Sequence, residues 1–283
     1  MFQKDSMTTR REFVKRVGAA AGATLILGQS TFTAHAESLQ QGIQRHASGA
    51  GINVLLVHGA LVDASSWSQV IQLLQSRGFN VLAVQIPLTS VADDVAVTND
   101  ALAYLSSNFS GPTILVGHSY GGFVISNAGL TGSNVRSLVY IAAYAPDAGE
   151  SVQNINAMFP PAPVFKDITL SYRSGFIWIN PPAFPQDFMP DVDVTQASAI
   201  AVSQKPLAPV CFGTPSGPPT WKTVPSWYLV SKNDRVINPD AERFMARRMG
   251  ATTREISSSH ASPVSHPKAV FDLIVEASQG SHQ

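Results

Sequence analysis

From residue 52 onward, short runs of apolar, often β-branched residues alternate with stretches in which apolar residues return every third or fourth position. The runs predict strands at 53–57, 80–85, 113–116, 137–142, 226–230 and 253–256. Most of them are continuously apolar rather than alternating, which suits strands covered on both faces, as in a parallel sheet. Between the first two, Trp67, Val70, Ile71 and Leu74 recur at helical spacing, and Gly78 stands where a C-terminal cap belongs. Further helices are predicted at 92–105, 120–128, 240–249 and 267–277. This order predicts an α/β fold with crossover helices. From 150 to 225 the rhythm breaks: 13 of the 19 prolines and nine aromatic residues fall there. A long, proline-punctuated segment inside a compact domain is usually functional, so 150–225 is predicted to be a lid inserted between core halves 52–149 and 226–283.

The N-terminal segment follows a different rule. Thr9-Arg10-Arg11-Glu12-Phe13 precedes an uncharged run over 17–28 and then Ala34-His35-Ala36, a small-x-small cleavage pattern. The arrangement resembles a twin-arginine signal peptide over 1–36, with a polar spacer over 37–51. The uncharged run is shorter than the ~20 residues that span a bilayer, so no stable membrane anchor is expected. Export by the twin-arginine machinery to the periplasm or the medium is expected instead.

Composition removes several functions. Lys plus Arg (19) equals Asp plus Glu (19), which leaves no strong positive field for phosphate backbones, and nucleic acid is not an expected partner. The single cysteine, Cys211, allows neither an internal disulfide nor a multi-thiolate metal site.

The candidate chemistry lies at Gly117-His118-Ser119-Tyr120-Gly121, a G-x-S-x-G sequence directly after a predicted strand and opening a predicted helix. A serine on so tight a turn needs glycine neighbours, and the turn lifts its hydroxyl above the sheet edge. A serine hydroxyl at neutral pH is a poor nucleophile. It requires an imidazole to take its proton and a carboxylate to hold that imidazole in one tautomer. Asp234 follows the strand ending at 230, and His260 follows the strand ending at 256, which supplies both in the chain order Ser, Asp, His. His266 competes with His260, and Asp240 and Asp147 compete with Asp234; position relative to the strand ends favours His260 and Asp234. The backbone N–H groups of Tyr120 and of Ala60, in His58-Gly59-Ala60-Leu61, are the candidate oxyanion donors.

With these motifs in hand, 53–277 resembles the α/β-hydrolase superfamily. The nearer likeness is to small lidded bacterial carboxylesterases and to the plant methylesterase and hydroxynitrile lyase branch, through Val57-His58-Gly59-Ala60 followed by Trp67. The resemblance implies a mostly parallel eight-stranded sheet with a lid after its sixth strand. It also implies Ser119 as nucleophile, Asp234 as acid and His260 as base. Relatives that attack with aspartate are disfavoured by Ser119, and cyanogenic cleavage by Ala261, where that branch has lysine. The expected activity is an exported serine carboxylesterase cleaving a small to medium uncharged ester without metal or organic cofactor. Leu61, Phe159, Trp178, Phe184 and Phe188 are the expected pocket lining. A lactonase or amidase with the same triad, and a non-catalytic ligand-binding protein of the same fold, remain as alternatives.

Overall fold

The computed structural model describes residues 49–129, 134–170 and 175–280; the expected signal peptide and nearly all of the spacer lie outside them. Six strands form one sheet: β1 (Asn53–Val57), β2 (Asn80–Val84), β3 (Thr113–His118), β4 (Val135–Ile141), and two further strands at Ser226–Ser231 and Thr252–Ile256. Two short strands of the intervening segment are numbered β5 (Ile168–Leu170) and β6 (Ile177–Ile179), so the last two sheet strands are β7 and β8. The order across the sheet is β2-β1-β3-β4-β7-β8, and every adjacent pair is parallel.

The strands form where the apolar runs predict them, because successive side chains serve opposite faces. Leu55, Val57, Leu115 and Tyr140 join one apolar cluster; Val54, Leu56, Val116 and Val139 join the other. Helices α1 (Ser68–Ser76) and the C-terminal Pro267–Gly280 cover the second cluster through Val70, Leu74, Val270 and Ile274. Helices α2 (Val91–Asn108) and α3 (Tyr120–Ser126), with Pro239–Arg248, cover the first through Leu102, Leu105, Phe123 and Met245.

The resemblance implies eight strands, and the described residues place six in the main sheet. These are the six strands that the sequence predicts, five of them apolar runs and the sixth, β8, the polar edge strand Thr-Thr-Arg-Glu-Ile. The segment expected after a sixth strand therefore leaves the sheet after β4, its fourth. It carries α4 (Val152–Ala157), the antiparallel β5–β6 pair, α5 (Phe184–Phe188), α6 (Val194–Val202) and α7 (Val210–Gly213). The remaining helices are α8 (Pro239–Arg248), α9 (Ser262–Ser265) and α10 (Pro267–Gly280). With so little regular structure, the insertion relies on polar anchors. The buried Gln204 amide accepts from the Ile179 N–H at 3.1 Å and donates to the Ile179 and Ala201 carbonyls, standing in for a missing strand partner.

Candidate active site

Ser119 sits between β3 and α3 with φ 53° and ψ −123°, a left-handed conformation that costs a non-glycine residue energy. The glycines around it are required by space: a Cβ on Gly117 would meet the Gly121 carbonyl at 2.6 Å, and one on Gly121 would meet the Val57 oxygen at 2.5 Å. The strain is held by backbone hydrogen bonds. The Ser119 amide donates to Ile141, and its carbonyl accepts from Gly122 and Tyr144.

Asp234 lies in the loop after β7, and His260 in the loop between β8 and α9. His260 Nδ1 donates to Asp234 Oδ2 at 2.5 Å, and both residues are buried. The other carboxylate oxygen, Oδ1, accepts from the Val236 and Ile237 amides at 2.6 and 2.8 Å. With its proton on Nδ1, the imidazole offers Nε2 as a bare acceptor; that atom is buried and takes no hydrogen bond. The acid and base halves of the predicted triad are thus joined, while the Ser119 hydroxyl does not donate to Nε2 in this structure.

The competing residues are engaged elsewhere. Asp147 pairs with Lys222 at 2.5 Å, Asp240 pairs with Arg243 at 2.9 Å, and His266 Nδ1 meets the Ser265 hydroxyl at 2.9 Å. His118 is buried beside the base, with ring centroids 4.9 Å apart, and its Nε2 donates to the His260 carbonyl at 2.8 Å. Burial first, and the neighbouring His260 second, hold His118 well below the ordinary histidine range, so it stays neutral.

Ser119, Ala60, Leu61 and Tyr120 border one small cavity of about 30 Å³. Its other walls are apolar and include Val164, Ile168, Ile177, Phe212 and Val236. Leu61 adopts φ 66°, a second strained residue on this cavity. His58 fixes the loop that carries Ala60. Its Nδ1 donates to the Gly59 carbonyl at 2.8 Å, and its Nε2 accepts from the Ile86 amide at 3.2 Å. Burial pushes the His58 pKa down to about 4 against the opposing pull of the Gly59 carbonyl. The Tyr120 hydroxyl donates to the buried Asp94 carboxylate at 2.8 Å, which ties α3 to α2.

Of the five expected pocket residues, Leu61 and Phe188 line the cavity, and Phe159, Trp178 and Phe184 do not. In β6, Ile177 and Ile179 are buried, so strand alternation turns Trp178 to the opposite side. Phe159 packs on Phe244 of α8, and Phe184 stacks beneath Phe188 at 4.7 Å. Phe188 stands edge-on to His260 with centroids 4.8 Å apart. It also borders a second, larger cleft of about 330 Å³, together with His118, Met189, Gln196, Ile200 and Ala261.

Several polar residues at the site have no counterpart in the sequence reasoning. Asp187 and Asp191 of the insertion contact the loops of the acid and the base. Glu242 of α8 is fully buried and accepts from the Ser231 amide at 3.1 Å. Burial, with the Asp234 charge adding to it, raises Glu242 well above the carboxylate range and keeps it neutral.

A strained serine thus stands at the end of β3 in a parallel sheet, with a buried Asp–His pair beyond the ends of β7 and β8. The family model described as the alpha/beta hydrolase family matches residues 54–273. The chain belongs to this family and is a hydrolase. An alpha/beta hydrolase of Aspergillus novofumigatus, nvfD, is 27% identical over 244 residues, covering 79% of this chain and 95% of that protein. A putative chloroplastic methylesterase of Arabidopsis thaliana, methylesterase 11, is 26% identical over 254 residues, covering 78% of this chain and 63% of its own length. The crystal structure of a pyrethroid hydrolase from Sphingobium faniae shares the fold with a TM-score of 0.68 at 22% identity, covering 81% of this hydrolase and 98% of that chain.

Proposed function

We propose that this hydrolase is an exported serine carboxylesterase that cleaves an uncharged ester through an acyl-enzyme on Ser119. One observation carries the reading. His260, fixed through Nδ1 by Asp234, presents an unpartnered Nε2 in a buried site whose neighbouring cavity has Ser119 on its wall. In this mechanism Nε2 takes the Ser119 proton as Oγ attacks the ester carbonyl, and Asp234 stabilises the imidazolium that forms. The Ala60 and Tyr120 amides receive the developing oxyanion. His260 then protonates the leaving alkoxide, and a water molecule, activated by the same nitrogen, releases the acid. The apolar walls at Ser119 suit an acyl group without charge, and the larger cleft across Phe188 lies on the side of the base, where the alcohol departs.

Esterases and hydrolases among the similar proteins support the ester bond as target, and the twin-arginine pattern supports export. Hydrolysis of p-nitrophenyl acetate and butyrate by the wild type and by Ser119→Ala tests the reading. The expected loss in kcat is about 10⁶-fold with the fold intact, and equal rates would reject it. The alternative of a ligand-binding protein of the same fold with an idle triad predicts no turnover of either ester. Fluorophosphonate labelling mapped to Ser119 separates the two, because only an activated serine reacts.

A further inference from the structure

The eight residues from 184 to 191 touch both loops that carry the Asp–His pair. Asp187, buried at the end of α5, accepts from Arg235 Nη2 at 3.1 Å and from its Nε at 3.4 Å. Arg235 is the residue after Asp234, and its carbonyl accepts a second tie, from the Val164 amide of the insertion at 3.0 Å. Asp191, four residues after Asp187, accepts from the Ser259 amide at 2.8 Å through Oδ2 and from the Ser259 hydroxyl through Oδ1. The Ser258 hydroxyl reaches the same carboxylate at 3.3 Å, and His266 Nδ1 lies 3.6 Å from it. Ser259 precedes His260, and its hydroxyl oxygen also accepts from the Ala261 amide at 3.2 Å, so Asp191 holds the residue before the base directly and the residue after it through the Ser259 hydroxyl. Between the two aspartates stands Phe188, packed against the imidazole itself.

Burial works to raise the Asp191 carboxyl, and the Ser259 hydroxyl and amide more than offset it, so the group is ionised near neutral pH. An ionised acceptor with two donors from one residue makes a stronger and more directional tie than a neutral contact. The loop of the base has no strand or long helix of its own between β8 and α9 to fix it. Small displacements of a general base are costly, because proton transfer depends on its distance and angle to the nucleophile.

We infer that Asp191 is a positioning residue for the base, acting through Ser259, and that Asp187 does the same for the acid through Arg235, so that the insertion as well as the core sets the geometry of the Asp234–His260 pair. The inference rests on the serine-hydrolase reading for its kinetic consequence and on geometry alone for the rest.

The test uses the full chain and the variants Asp191→Ala, Asp191→Asn, Ser259→Ala and the Asp191→Ala/Ser259→Ala double, each assayed well below its melting temperature. In Asp191→Ala, kcat for p-nitrophenyl butyrate and the rate of fluorophosphonate labelling at Ser119 fall by about 10²-fold with KM little changed. Asp191→Asn recovers part of the loss, because one acceptor oxygen remains. The double variant is little worse than Asp191→Ala, since both changes remove the same contact. A second readout does not need turnover: the downfield proton resonance of the Nδ1–H···Asp234 hydrogen bond shifts or broadens in Asp191→Ala. Rates indistinguishable from wild type, or an unmoved resonance, overturn the inference. If Asp191→Ala does not fold, Ser259→Ala removes the hydroxyl arm alone and is read in the same way, with a smaller loss expected. A resonance that responds in a protein that neither labels nor turns over supports the clamp and rejects the hydrolytic reading.

Discussion

The sheet core and the insertion between β4 and β7 build their parts of the site by different physics. In the core, β1 and β3 are buried at every position, and the nucleophile is set by backbone alone: a turn at Ser119 that closes only around Gly117 and Gly121. In the insertion, elements are three to nine residues long, and position is set by side chains reaching across space, Gln204 to β6, Asp187 to Arg235 and Asp191 to Ser259. Covalent geometry tolerates little adjustment, whereas a side-chain tie can be moved or exchanged. The nucleophile is therefore the rigid member of this site, and the placement of acid and base is where it can be tuned.

The largest effect that would sharpen this contrast is expected at Phe188, which belongs to the insertion but packs on the base. Phe188→Ala removes a buried ring at a cost of about 3–5 kcal/mol and joins the cavity at Ser119 to the larger cleft. Urea melts should show that loss, and an ester series should show relative kcat/KM moving toward bulkier alcohols. A variant with wild-type selectivity would show that Phe188 is packing only.

The core supplies a pH dependence of somewhat smaller size. His58 has its folded-state pKa pushed down to about 4, from 6.5 in the unfolded chain. A base with a lowered pKa is bound neutral, so its stabilisation is complete above pH 6.5 and is lost as pH falls toward 4. The size is ~3 kcal/mol for this histidine, and the fully buried His118 acts in the same direction. Chemical melts at pH 7 and pH 4.5 should show the loss in wild type and a shallower slope in His58→Gln; identical slopes would place the sensitivity elsewhere.

Gly121→Ala tests the rigidity claimed for the elbow and carries the smallest expected cost. The new Cβ would lie 2.5 Å from one backbone carbonyl oxygen and 2.7 Å from another, at Val57 and His58, neither of which is a flexible side chain. About 1–3 kcal/mol of stability should be lost to overpacking, with fluorophosphonate labelling slowed because β1 and α3 are forced apart. An unchanged melting temperature would mean that the core adapts as easily as the insertion, and the contrast would fail.

Legibility follows the same division. The six sheet strands lie within two residues of the predicted ones, and the central strands β1, β3 and β7 are the most legible, since a strand buried on both faces is apolar at nearly every position, whereas the edge strand β8, Thr-Thr-Arg-Glu-Ile, is half exposed. Ser119, Asp234 and His260 could be singled out because a strand end followed by a polar loop is a local pattern. The insertion could be delimited by its prolines, but its interior could not be read. Trp178 looked like a pocket residue because it is aromatic, and only the alternation of β6 shows that it faces away. Asp187 and Asp191 carried no local signal, because their partners lie 48 and 68 residues further along the chain. The run Ser257-Ser258-Ser259 before His260 was the one hint that this loop needs an acceptor from elsewhere.

By itself, the order of apolar runs, glycines and three reactive side chains determined a parallel α/β sheet with a strained serine at one strand end and an acid and a base at two others. Those features rest on interactions between residues close in sequence or on periodicity, which a linear chain records directly. Tertiary structure alone decided that His260 is tied to Asp234 but not to Ser119, that Phe188 divides two cavities, and that two insertion carboxylates brace the loops of the acid and the base. Each of these is a contact between distant segments, and its energy exists only once the chain has closed the loop that brings them together.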